Sequence, residues 1–147
     1  MRSILIALLM TLATQAGALV FDENFNFKSK RLYVMLQDHA IEGCWTNLRE
    51  AREYAEEKLR MKGAIIQNDG WDSDTFLLEI TVISFRNPNA DSQCIGMIRV
   101  NISDMKYFNE PNRRLALVSE NSYALLHNKN LNTQVLDRIS VALAEFK

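Results

Sequence analysis

Few residues in this sequence could do covalent or metal chemistry, and their spacing restricts what that chemistry could be. There are two histidines, His39 and His127, and two cysteines, Cys44 and Cys94. Hydrolysis through a serine or thiol needs the nucleophile within hydrogen-bond reach of a base. Neither histidine stands in an H-E-x-x-H arrangement, and no G-x-S-x-G elbow occurs. A hydrolase would have to combine His39 or His127 with a carboxylate such as Asp38 or Asp137. A zinc site built from both histidines with Asp38 or Cys44 lacks the close i, i+4 or C-x-x-C spacing that zinc ligands show. The acidic run Asp69, Asp72, Asp74 carries oxygen ligands suited to calcium, but without the residue progression and distal glutamate of an EF-hand loop. The five glycines form no phosphate-cradling loop. No residue is therefore assigned a catalytic or metal-binding role, no cofactor is expected, and the balance favours a protein that is not an enzyme.

The cysteines point elsewhere. Each borders an apolar element rather than a cationic cluster, so neither has the setting of a reactive thiolate. An exported chain with an even cysteine count pairs them, which predicts a structural Cys44–Cys94 disulfide. Export is itself legible at the start of the chain. Met1-Arg2-Ser3 gives a positive start, Ile4 to Ala13 an apolar run shorter than a membrane span, and Ala16-Gly17-Ala18 a small-x-small cleavage site. Residues 1–18 thus read as a signal peptide and residues 19–147 as one α+β domain, periplasmic or secreted, with no membrane span in the mature chain.

Charge excludes a further class. Seventeen basic residues stand against 18 acidic ones, interspersed along the chain. Nucleic-acid binders concentrate lysine and arginine on one face, and no such concentration occurs.

The elements that must position these residues follow from hydropathy patterning. After a polar stretch expected to be loosely ordered, Leu32 to Leu36 reads as a first strand. Asn47 with Glu50 offers a capping box, and Leu48, Ala51, Ala55 and Leu59 recur with helical spacing up to Gly63. Ala64 to Gln67 reads as a second strand. The turn residues from Asn68 to Asp74 predict a hairpin into a third strand, Thr75 to Phe85. From Cys94 a fourth strand sets Gly96, Ile98, Val100 and Ile102 on one side, and Arg99, Asn101 and Ser103 on a side expected to face water. Leu115 to Val118 and Tyr123 to Leu126 are β-compatible runs without an assignable register. Val135, Ile139, Ala142, Leu143 and Phe146 then predict a closing helix.

This order predicts an α+β fold: an antiparallel-rich sheet of about four or five strands with two amphipathic helices packed on one face. Cys44, just ahead of the first helix, could then reach Cys94 at the start of its strand, with Trp45 packed beside the bridge. Asn101-Ile102-Ser103 matches the glycosylation triplet but falls within a strand. Trp71, set in a polar turn with Asp69, Asp72 and Asp74, is hard to bury and is the candidate partner contact. The chain is accordingly expected to be an exported, non-catalytic binding or accessory protein. It would touch another exported protein or an envelope component through its sheet edge or the Trp71 hairpin. A small secreted hydrolase using a histidine and an inhibitor of a secreted enzyme are the alternatives.

Overall fold

Two amphipathic stretches and five extended ones set the architecture. The computed structural model describes residues 25–70, 72, 74–89, 93–104 and 116–146. The signal peptide read at residues 1–18 and Trp71 lie outside the described residues. In chain order the elements are β1 (Arg31–Ala40), α1 (Leu48–Met61), β2 (Ile65–Ile66), β3 (Phe76–Asn87), β4 (Gln93–Asp104), β5 (Ala116–His127) and α2 (Asn132–Glu145). The strands form one sheet in the order β2-β1-β3-β4-β5. From Ala116 on, both β-compatible runs near residue 120 belong to the single long strand β5.

The sheet is mixed rather than antiparallel-rich. β1 pairs in parallel with both β2 and β3, while β3–β4 and β4–β5 are antiparallel. The hairpin expected between the second and third strands does not form, because β1 lies between them. A parallel connection ordinarily needs a dozen or more residues. Here β2 is only two residues long, and Ile66 and Phe76 both align with Leu32. The connection therefore starts and ends at one level of the sheet, and residues 67–75 suffice to pass β1.

Helix α1 forms where its periodicity predicts and buries Ala51, Ala55 and Leu59. Its start differs from a capping box: Asn47 Nδ2 donates to Glu50 Oε2 at 2.8 Å, but no side chain caps a backbone N–H. Gly63 (φ 84°) ends the helix in the left-handed region that glycine adopts without strain. Helix α2 buries Val135, Ile139, Ala142 and Leu143. These helix residues join Leu32, Val34, Leu78, Ile80, Val82, Ile98, Val100, Ile102 and Leu125 of the sheet in one hydrophobic cluster. Each fully buried Leu or Ile there contributes roughly 1.5–3 kcal/mol. From Phe25 on, the segment before β1 is not loose: Phe25 and Phe27 are buried in the same cluster, packed edge-on against Phe76 and Phe146.

Two features tighten the sheet. Gly96 stands opposite Ser84, and a Cβ at Gly96 would fall 2.3 Å from Ile83 O and 2.5 Å from Ser84 Cβ. Cys44 and Cys94 form the expected disulfide, with Cα atoms 5.5 Å apart. Trp45, beside it in sequence, is buried in the core cluster.

Candidate functional site

The face of the sheet turned away from the core cluster carries the odd-numbered residues of β3 and β4. Its composition changes along the strands. In the middle, Gln37, Glu79, Thr81, Arg99 and Asn101 form a polar stripe across β1, β3 and β4. Gln37 Nε2 and Asn101 Nδ2 both donate to the Glu79 carboxylate. Contrary to the expectation for the polar side of β4, Asn101 and Ser103 are buried, as is Ile102 between them, so the glycosylation triplet is inaccessible. Strand alternation predicts which face a residue shares, but not whether that face is covered.

Toward one end of the sheet the same face becomes apolar and exposed. Ile83 pairs with Met97 and Met97 with Ala124, while Phe85 pairs with Ile95 and Ile95 with Leu126. Ile83, Phe85, Met97 and Leu126 are between 41% and 53% exposed, and Ile41, which continues past β1, is 58% exposed. Five of the eight large exposed apolar side chains among the described residues thus gather at one end of one face. Scattered singly they would need no explanation; gathered, they mark a contact surface. The sequence signal was available in Ile83 and Phe85, which make the second face of β3 apolar at its far end. It does not define a site on its own, because the neighbours from β4 and β5 depend on register.

That end of the sheet is braced from the opposite side. Cys44 is bonded to Cys94, and Leu131 N–H donates to Cys44 O at 2.7 Å. Asn132 accepts from Thr46 N–H at 3.0 Å and donates to Thr46 Oγ1 at 3.0 Å, so the starts of α1 and α2 are tied together. Arg86 donates from its backbone N–H to Glu42 Oε2, from Nε to Glu42 O and from a terminal nitrogen to Lys129 O. The exposed patch therefore sits on a stiff corner.

The structure does not bring the two histidines together. His39 lies on β1 and His127 on β5, with β3 and β4 between them, roughly 14 Å of sheet at ordinary strand spacing. His127 Nδ1 accepts the Lys129 N–H at 3.1 Å, a turn contact, and Cys44 is committed to its disulfide. Asp38 accepts the Ala40 N–H and lies next to His39, on the other face of β1.

Of the candidate partner contacts, Asp69, Asp72 and Asp74 are exposed, and Trp71 lies outside the described residues. Asp72 is an anchor of its turn: it accepts from Thr75 Oγ1, from Asp74 N–H at 3.0 Å and from Arg31 at 2.9 Å. The Thr75 hydroxyl first, with the Asp74 N–H and Arg31, holds the Asp72 carboxyl below the ordinary aspartate value of 3.8. A depressed value means that the charged form stabilises the fold above 3.8 and that this contribution is lost as pH falls through the lower folded value. Asp72→Asn is thus expected to be less stable than the parent at neutral pH, with the difference vanishing in acid. Urea midpoints in the two regimes check this; a difference that persists in acid would refute it.

No protein-family model matches the chain, and no curated protein matches it. Solved structures share its fold. A variant of PelC from Paraburkholderia phytofirmans, solved as a dodecamer, is 13% identical, with 83% of this chain and 90% of that one covered at a TM-score of 0.54. The hypothetical protein CT253 from Chlamydia trachomatis is 7% identical, covering 80% and 98% at a TM-score of 0.50. At these identities the likeness is one of fold. Among the described residues no helix is long and apolar enough to cross a membrane.

Proposed function

We propose that this chain is an exported, non-catalytic accessory protein that contacts another protein or an envelope component through the apolar end of its outer sheet face. The observation that carries this reading is the gathering of Ile41, Ile83, Phe85, Met97 and Leu126 on the disulfide-braced corner. An exposed apolar patch held on a rigid frame loses little conformational entropy on binding, which favours recognition. The disulfide supports an oxidising compartment, periplasmic or secreted. The PelC of similar fold is a dodecamer, so this fold elsewhere uses its surface for protein contact. Both helices cover the inner face in this reading, leaving the outer face for the partner. Trp71 with Asp69, Asp72 and Asp74 forms a second candidate contact on the loop before β3.

The test is capture in the native exported fraction with a photo-cross-linking residue placed at Phe85 and, separately, at Asp69. A dominant adduct from Phe85 supports the patch, one from Asp69 alone moves the contact to the turn, and none from either position refutes the reading. Once the partner is in hand, Phe85→Asp is expected to weaken binding at least tenfold, about 1.4 kcal/mol. The ring is half exposed, so the fold should be little changed.

A further inference from the structure

The sheet has two edges, and they are unequal. β2 offers two residues, whereas β5 offers twelve and, among the described residues, pairs with β4 alone. Its outward direction is fixed by Gln134: Oε1 accepts the Leu126 N–H at 2.9 Å and Nε2 donates to Leu126 O at 2.8 Å. This side-chain amide takes the place a neighbouring strand would have. Because alternate residues of an antiparallel strand point their peptide groups the same way, Ala124, Ser122 and Glu120 also direct theirs outward. Among the described residues nothing meets those groups. Natural sheets defend such edges with lysine, proline or short length. From Ala116 to Leu126 this edge has no proline and one charge, Glu120.

A second element shares the edge. Gln134, Arg138 and Glu145 of α2 reach β5, the first at Leu126 and the other two at Tyr123. Val141 falls on the same helical stripe and is 38% exposed.

We propose that β5 pairs antiparallel with β5 of a second copy of this chain, across a two-fold axis at Ser122. This rests on the preceding reading of the chain as a contact protein and names the partner of its sheet edge. The pairing sets Ser122 against its own copy and Glu120 against Ala124 of the other, forming about six main-chain hydrogen bonds. The only charge on the strand thus avoids its like. The same axis runs the two α2 helices antiparallel, which places Arg138 of one opposite Glu145 of the other and brings the two Val141 side chains together. Such an isologous contact closes at two copies.

Sedimentation equilibrium of the purified, oxidised protein tests it. A dimer is expected, with slowed hydrogen exchange at the Glu120, Ser122 and Ala124 amides. Ser122→Pro removes an outward N–H that the monomer does not use, so it should yield a folded monomer whose melting temperature, unlike the parent's, does not depend on protein concentration. If that variant does not fold, the charge pair decides: Arg138→Glu should weaken association at least tenfold, and Arg138→Glu with Glu145→Arg should restore it. A wild-type monomer, a folded Ser122→Pro variant that remains dimeric, or a charge swap without rescue would overturn the proposal. A monomer that still gives a Phe85 adduct overturns only the self-pairing. A dimer without an adduct overturns only the foreign contact.

Discussion

Replacing Cys44 and Cys94 together by alanine is expected to lower the unfolding free energy by about 4 kcal/mol, the chain-entropy value for a loop of this length. The bridge spans 50 residues and is buried at both ends. For a domain of this size the corresponding fall in melting temperature is on the order of 15 °C. Thermal unfolding followed by circular dichroism measures it, and reductant should bring the parent protein close to the variant. The loss should not spread evenly. Cys44 O receives Leu131 N–H, and Thr46 is bonded to Asn132, so freeing the bridge loosens the starts of both helices at once. Amide exchange should quicken first at this corner, beneath the apolar patch. A melting temperature that moves by less than about 3 °C would mean that the hydrogen bonds and packing hold the corner without the bridge.

Gly96→Ala is the second large effect, expected at about 3 kcal/mol through overpacking. The obstruction is backbone: the added methyl meets Ile83 O at 2.3 Å and Ser84 Cα at 2.9 Å, and neither can swing away as a flexible side-chain end could. β3 and β4 would have to part at the apolar end of the sheet. Gly43→Ala is the control. Gly43 adopts a φ of 70° but has nothing within 4 Å of its would-be Cβ, so it should cost only the left-handed strain, about 1 kcal/mol. Denaturant midpoints of the two variants separate close approach from backbone conformation. Equal costs would remove the steric explanation.

What could be read in the sequence was whatever depends on near neighbours. The buried stripe of α1, the inward residues of β3 and β4, and the closing helix all follow from local spacing. The cysteine pairing followed from count and compartment. What could not be read depends on which elements meet. Nothing within residues 64–75 says that β1 intervenes between β2 and β3, so turn residues alone suggested a hairpin. The polar side of β4 looked solvated because alternation does not reveal that Asn101 and Ser103 are covered. Ile83, Phe85, Met97 and Leu126 look unremarkable singly on three strands. They become a surface only once the register sets them side by side. Gln134 carries no signal at all until its amide is seen on the edge of β5.

The contact between Phe27 and Phe146, with ring centroids 6.0 Å apart, joins nearly the two extremes of the described chain. A polypeptide that emerges amino end first from a ribosome cannot complete this core until Phe146 is out. The pairing of distant segments also raises contact order and slows folding. Phe146 thus sets when the core can close: until it has been synthesised, Phe27 lacks the ring it packs against.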